Sequence, residues 1–139
     1  ATHSVYGETK LKGERSLLTT MPNNALIIRT SWVYSEFGNN FVKTMLRLGQ
    51  ERHALNVIFD QVGTPTYAGD LAKAIMTIVA SETFNQDNFT TEIYHYSNEG
   101  VCSWYDFAKA IFEEEHIDCN VSPIETKDYP TPAVRPHYS

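Results

Sequence analysis

Residues 25–34, ALIIRTSWVY, carry a nearly continuous apolar run rich in β-branched side chains. A run of this kind predicts a strand buried on both faces, and such strands belong to parallel sheets covered by helices. The flanking sequence supplies the helices. One is expected over about residues 4–20, with Leu11, Leu17 and Leu18 as apolar points, and it should stop at Met21-Pro22-Asn23-Asn24, a turn-forming tetrad. Asn39 or Asn40 is placed to cap the next helix, whose apolar face is Phe41, Val42, Met45, Leu46 and Leu48, with Gly49 near its end.

The alternation continues to the last quarter of the chain. ALNVIFD (54–60) reads as a second strand, QVGTPTYAGD (61–70) as a loop leading into the apolar helix LAKAIMTIVAS (71–81), and EIYHYSN (92–98) as a third strand. SWYDFAKAIFEEE (103–115) then has Ser103 as N-cap and Asp106 three residues on, an acidic variant of the capping box. Trp104, Phe107, Ala108, Ile111 and Phe112 follow at helical spacing. VSPIETKDYPTPAVRP (121–136) reads as a short extended segment and a proline-rich loop. Strands alternating with helices define an α/β fold with mainly parallel strands.

A chain of 139 residues, 42% apolar and 12% aromatic, can build one domain with a real core. Its net charge of −6 and the lack of any Lys/Arg cluster argue against a nucleic-acid partner. Cys102 and Cys119 lack metal-ligand spacing and read as buried or half-buried thiols, and His3, His53, His95, His116 and His137 are scattered, so no metal site is expected. No run approaches the ~20 apolar residues of a membrane span and no signal peptide is visible, which leads to the expectation of a cytoplasmic protein without membrane contact. Without an initiating Met, and stopping in the proline-rich TPAVRPHYS, the chain is expected to be a piece of a longer protein.

The stretch SVYGETKLKGE (4–14) carries the clearest chemistry. Tyr6 and Lys10 are four apart on the first predicted helix, so they share one face and one small volume. A free phenol ionises near pH ~10, too high for efficient proton transfer at neutral pH, and a lysine cation beside a phenol favours the phenolate. At ~4 Å and an effective dielectric of ~20 the attraction is about 4 kcal/mol, a size and sign that suit a general acid. The pair alone is weak evidence, because both residue types are common on helices.

The surrounding residues add a resemblance. VYGETKLKGE resembles the active-site helix of the extended short-chain dehydrogenase/reductases, with its Tyr-x-x-x-Lys motif. LIIRTSWVYSEFGNNFVKTMLRLGQER, LNVIFDQVGTPTYAGDLA and YPTPAVRPHYS resemble consecutive blocks of the dTDP-4-dehydrorhamnose reductases within that family. Four blocks in the right order cover nearly the whole chain. The resemblance implies the C-terminal part of a Rossmann-like fold: the active-site helix and last sheet strands, followed by a small substrate-binding domain. The N-terminal cofactor-binding half would be missing, since no glycine-rich strand-to-helix turn occurs and the Ser or Thr that completes the catalytic set lies upstream in the family.

By this resemblance Tyr6 would protonate the C4 oxygen of a dTDP-4-keto sugar as hydride arrives from NADPH or NADH, and Lys10 would favour the phenolate and bind the nicotinamide ribose. Trp32 would contact the sugar nucleotide; a core tryptophan at a strand end is its other reading. Asn40 and Phe41 would line the nucleotide pocket, with helix capping an equal account of Asn40, and Arg135 would pair with the diphosphate unless it is a plain exposed loop residue. Asp60, Gln61, Pro65 and Thr66 are expected as architecture around the site. Gly69 stands where some relatives have a metal-binding glutamate at a dimer interface, so a metal-bridged dimer is not expected. The isolated fragment is expected to be inactive and to self-associate or rearrange locally, with a homodimer as the other possible assembly. Another sugar-nucleotide reductase or epimerase, or a non-catalytic regulatory subunit like that of methionine adenosyltransferase, are the alternatives.

Overall fold

The computed structural model describes residues 4–129, 131, 132 and 135–139. Within TPAVRPHYS, Ala133 and Val134 lie outside the described residues, as do the preceding Pro130 and His3 near the other end. The chain runs α1 (Val5–Thr20), β1 (Leu26–Arg29), β2 (Val33–Tyr34), α2 (Phe41–Glu51), β3 (Ala54–Ile58), β4 (Val62–Gly63) and β5 (Thr66–Tyr67). It continues with α3 (Ala68–Val79), β6 (Glu92–His95), β7 (Cys102–Ser103), α4 (Trp104–Glu114), β8 (Asn120–Ile124) and a 3-10 turn at Thr126–Asp128. Two compact units result: Ala1–Thr30 with Gly69–Tyr96, and Ser31–Ala68 with Ser97–Ser139.

In the first unit β1 and β6 pair in parallel, Leu26 opposite Glu92 and Arg29 opposite His95. The turn before β1 is held by Asn24, whose φ of 63° is one that asparagine tolerates better than most residues. Pro22 carbonyl accepts from Thr91 N–H (2.9 Å), and the Met21 carbonyl from the Thr91 hydroxyl (2.5 Å). Ser4 begins α1 by accepting the Gly7 N–H on its hydroxyl (3.1 Å). The half-buried residues of α1, namely Gly7, Leu11, Glu14, Leu17 and Leu18, recur at the three- and four-residue spacing of a docked stripe.

The second unit holds the buried core of Met45, Leu55, Val57, Ala108, Ile111 and Phe112, contributed by α2, β3 and α4. Beside it β3 pairs in parallel with β8, Leu55 opposite Val121 and Val57 opposite Pro123, while β4 pairs antiparallel with β7. The Ser103–Asp106 capping box that starts α4 is present in both directions: Ser103 Oγ accepts from Asp106 N–H (3.0 Å) and Asp106 Oδ2 from Ser103 N–H (2.9 Å). Such a cap contributes about 1 kcal/mol. The Ser103 N–H, followed by the Ser103 hydroxyl donating to the same oxygen (2.7 Å), also holds the Asp106 carboxyl below the usual carboxylate range.

The α/β class, with three of the four described strand pairs parallel, agrees with the sequence expectation. Three local expectations need correction. The single strand over 25–34 is two: β1 ends at Arg29 and β2 begins at Val33, with Trp32 between them at φ 47°. The two halves have different partners, β1 pairing with β6 and β2 with β5, and β1 is half-buried with Arg29 exposed rather than covered on both faces. The loop over 61–70 contains β4 and β5, and α3 starts at Ala68 rather than at Leu71. The third strand stops at His95. Gly49 lies near the end of α2 as expected and is buried there, where a Cβ would lie 2.6 Å from Phe112 Cε1; its role is close approach of α2 and α4. Among the described residues no helix is long and apolar enough to cross a membrane.

Candidate functional site

The Tyr-Lys pair lies on the first unit. Tyr6 occupies the second position of α1 and is 72% exposed, and Lys10 follows one turn later with its ammonium over the Tyr6 ring, 5.6 Å from the centroid. That is a cation–π arrangement. One turn further on, Gly13 has nothing within 4 Å of where a Cβ would stand. Tyr6, Lys10 and Gly13 thus form an uncovered stripe beside the docked one, which leaves phenol and ammonium free to meet a ligand.

Across the second unit runs a layer of aromatic rings. Trp32 stacks on Trp104 with centroids 3.5 Å apart and planes 8° from parallel, and Phe41 tilts against Trp104 at 4.6 Å. Phe41 also stacks on Phe107 (5.4 Å), which meets Tyr34 edge-on (5.6 Å), and Tyr34 reaches Tyr67 (5.7 Å). Trp32 is held from several sides. Its indole N–H donates to Ser139 Oγ (3.0 Å), its carbonyl accepts from Thr66 N–H (3.1 Å), and its ring passes so near Gly63 that a Cβ there would be 2.6 Å from Cε2. A tryptophan with φ in the left-handed region is strained, and such residues persist only where surrounding contacts over-determine them.

Asn40 is fully engaged by the backbone. Its Oδ1 accepts from Lys43 N–H (3.2 Å) as the cap of α2, and its Nδ2 donates to the Ser35 carbonyl (2.6 Å). Arg135 is exposed. Asp60 and Gln61 converge on the turn after β8: Asp60 Oδ1 accepts from Thr126 Oγ1 (2.6 Å) and Thr126 N–H (2.9 Å), and buried Gln61 donates from Nε2 to the same hydroxyl (3.0 Å). His137 Nδ1 donates to the Asp60 carbonyl (3.0 Å). Thr66 is fully buried, and its hydroxyl has no hydrogen-bond partner among the described residues. Among the described residues no group of three His, Cys, Asp or Glu is placed to hold a metal ion.

The Thr126 hydroxyl, followed by its N–H and the nearby His137, holds the Asp60 carboxyl below the usual carboxylate range. A depressed folded-state pKa contributes stability that is present above the unfolded value near ~3.9 and is lost as pH falls through the lower folded value. Asp60→Asn keeps an acceptor for Thr126 and removes the charge. It is expected to lower Tm at neutral pH and to flatten the decline of Tm below pH ~4, as read by thermal unfolding at stepped pH.

Two groups of residues escaped the sequence reading. Trp104 and Phe107 were legible as the apolar face of α4, but nothing local shows that Trp32, Tyr34 and Tyr67 join them; their signal was the concentration of aromatics, without its pairing. Glu14 and Arg29 form a two-pronged ion pair, Arg29 Nε to Glu14 Oε1 at 2.8 Å and Nη2 to Oε2 at 2.6 Å, between residues 15 apart that belong to a helix and a strand.

Helices alternating with parallel strand pairs, led by a Tyr-x-x-x-Lys helix, place the chain in the Rossmann-like class of the extended short-chain dehydrogenase/reductases. The family model for the RmlD substrate binding domain matches residues 2–139, and the chain belongs to that family. It is 48% identical over 139 residues to the dTDP-4-dehydrorhamnose reductase of Aggregatibacter actinomycetemcomitans, covering 95% of this chain and 46% of that one. A dTDP-4-dehydrorhamnose reductase ortholog from Clostridium acetobutylicum superposes with a TM-score of 0.90 at 43% identity, covering 100% of this chain and 46% of that one. The dTDP-4-dehydrorhamnose reductase of Bacillus anthracis, solved in complex with NADP, superposes with a TM-score of 0.85 at 42% identity and the same coverage. The chain spans about half the length of the curated relatives it matches.

Proposed function

We propose that this chain is the active-site-helix and substrate-binding part of an NAD(P)H-dependent reductase that converts dTDP-4-dehydro-L-rhamnose to dTDP-L-rhamnose, a precursor of cell-surface polysaccharide. The observation that carries the reading is the open Tyr6–Lys10 pair at the start of α1 in a chain of this family. Tyr6 donates its proton to the C4 oxygen of the sugar, so that the oxyanion is neutralised as it forms. Lys10 stabilises the phenolate left behind and hydrogen-bonds the cofactor's ribose, a role its position one turn from Tyr6 supports. NADPH or NADH, when bound, supplies the hydride that C4 receives, and the open stripe of Tyr6, Lys10 and Gly13 fits a ligand lying along α1. Trp32 and Phe41 contribute apolar contact to the sugar nucleotide, Asn40 fixes the start of α2 beside them, and Arg135 meets the diphosphate.

The rest of the cofactor site belongs to a nucleotide-binding half that precedes this chain in the whole protein. Supporting this is the exposed β6, with Ile93 and Tyr94 uncovered, next to a β1 that has a single described partner. A two-stranded parallel sheet is not stable unless more strands or helices cover it. By the same reasoning the isolated chain turns over no NADPH and self-associates through this surface. The test is NADPH oxidation with dTDP-4-dehydro-L-rhamnose by a chain carrying both halves. Consumption matched by dTDP-L-rhamnose formation is the expected result; tight nucleotide binding without turnover would replace the reading with that of a non-catalytic regulatory subunit.

A further inference from the structure

We propose that the Glu14–Arg29 pair is a positioning device for the Tyr-Lys helix: it sets the roll of α1 about its own axis and thereby the place of the Tyr6 phenol. The inference rests on the function proposed above. The docked stripe of α1 consists of Gly7, Leu11, Leu17 and Leu18, none of them fully buried, and apolar contacts of that kind are non-directional. They set which face of the helix is docked but leave its roll within that face loosely defined.

Glu14 stands in the middle of that stripe and is the member able to fix it. Its carboxylate, 18% exposed, meets the planar guanidinium of Arg29 edge to edge through two hydrogen bonds of 2.8 and 2.6 Å. A fork of this form specifies direction as well as distance. Arg29 is itself fixed, because it ends β1 opposite His95 and its carbonyl accepts from Tyr96 N–H at 2.9 Å. The fork also holds the Glu14 carboxyl below its ordinary range, so it stays charged throughout the neutral region. Glu14 lies one turn past Lys10 and two past Tyr6, or ~6 and ~12 Å along the axis. A roll of about 10° moves an atom ~6 Å off the axis by ~1 Å, and displacements of that size at a reacting group cost up to about 100-fold in rate.

A structural salt bridge and a positioning one differ in what their loss does. An ion pair with one partner 43% exposed adds little to stability. Glu14→Gln and Arg29→Lys, each in the chain carrying both halves, are therefore expected to leave Tm within a few degrees of the parent. They should lower kcat about 10- to 100-fold with KM for the sugar nucleotide nearly unchanged. The reciprocal pair Glu14→Arg with Arg29→Glu is expected to restore much of kcat. In the 139-residue chain itself, Glu14→Gln is expected to speed amide exchange along α1 and leave that of α2 and α4 unchanged. Unaltered kcat in both single variants, or exchange along α1 unaffected by Glu14→Gln, would overturn the proposal. If the parent itself shows no turnover, the function proposed above is what fails, and the exchange result alone decides whether the fork fixes the helix.

Discussion

Tyr6→Phe is expected to lower turnover by about 10²- to 10⁴-fold, the range associated with removing a positioned general acid, while leaving the fold intact. The substitution is unusually clean here because of where the ring sits. Tyr6 is 72% exposed, so loss of its hydroxyl leaves no buried partner unsatisfied, and stability should change by less than ~0.5 kcal/mol. The ammonium of Lys10 lies over the ring, and phenylalanine keeps that ring. Lys10 therefore has the same neighbour in both proteins, and any rate loss belongs to the missing proton donor. The measurement is NADPH consumption at saturating sugar nucleotide in a chain carrying both halves, with thermal unfolding as control. A variant that turns over as fast as the parent removes Tyr6 from the role of acid.

Much of this was legible in the sequence, and the reason is physical. The Asn40 cap, one of two asparagines the sequence offered, and the Ser103–Asp106 box are local signals, set by residues within four positions of one another, and both stand in the structure as expected. Tyr6 and Lys10 likewise meet because a helix brings i and i+4 together. What failed was non-local. ALIIRTSWVY has the composition of one buried strand, and nothing within it reveals that β1 pairs with β6 while β2 pairs with β5, or that Trp32 takes a left-handed φ between them. The Glu14–Arg29 fork and the stacking of Trp32 on Trp104 are invisible for the same reason: each depends on a helix or strand arriving from elsewhere in the chain. Gly49 shows the subtler case, in which the position near a helix end is legible but the space it leaves for Phe112 is not.

Gly63→Ala is expected to be among the most destabilising small changes in the second unit, because neither side of the contact has room to give. A Cβ at position 63 would lie 2.6 Å from Trp32 Cε2 and 2.8 Å from the backbone oxygen of Ser139. The backbone of β4 is fixed from two directions. It pairs with β7, Gly63 opposite Cys102, and Val62 exchanges hydrogen bonds with His137 carbonyl (2.7 Å) and Ser139 N–H (3.1 Å). The indole is equally confined by Trp104 at 3.5 Å, by its bond to Ser139 Oγ and by its own strained backbone. Overpacking of this kind costs about 1–3 kcal/mol. Relief by displacement of the indole would break the Trp32–Trp104 stack, so a fall of several degrees in Tm is expected together with a weaker near-UV circular dichroism signal from the two tryptophans. Gly13→Ala makes the same chemical change in open space inside α1, where it should instead stabilise by up to about 1 kcal/mol through helix propensity. If Gly63→Ala behaves like Gly13→Ala, the clamp on Trp32 is loose, and the strain at φ 47° has to be sustained by something other than the contacts at Gly63 and Trp104.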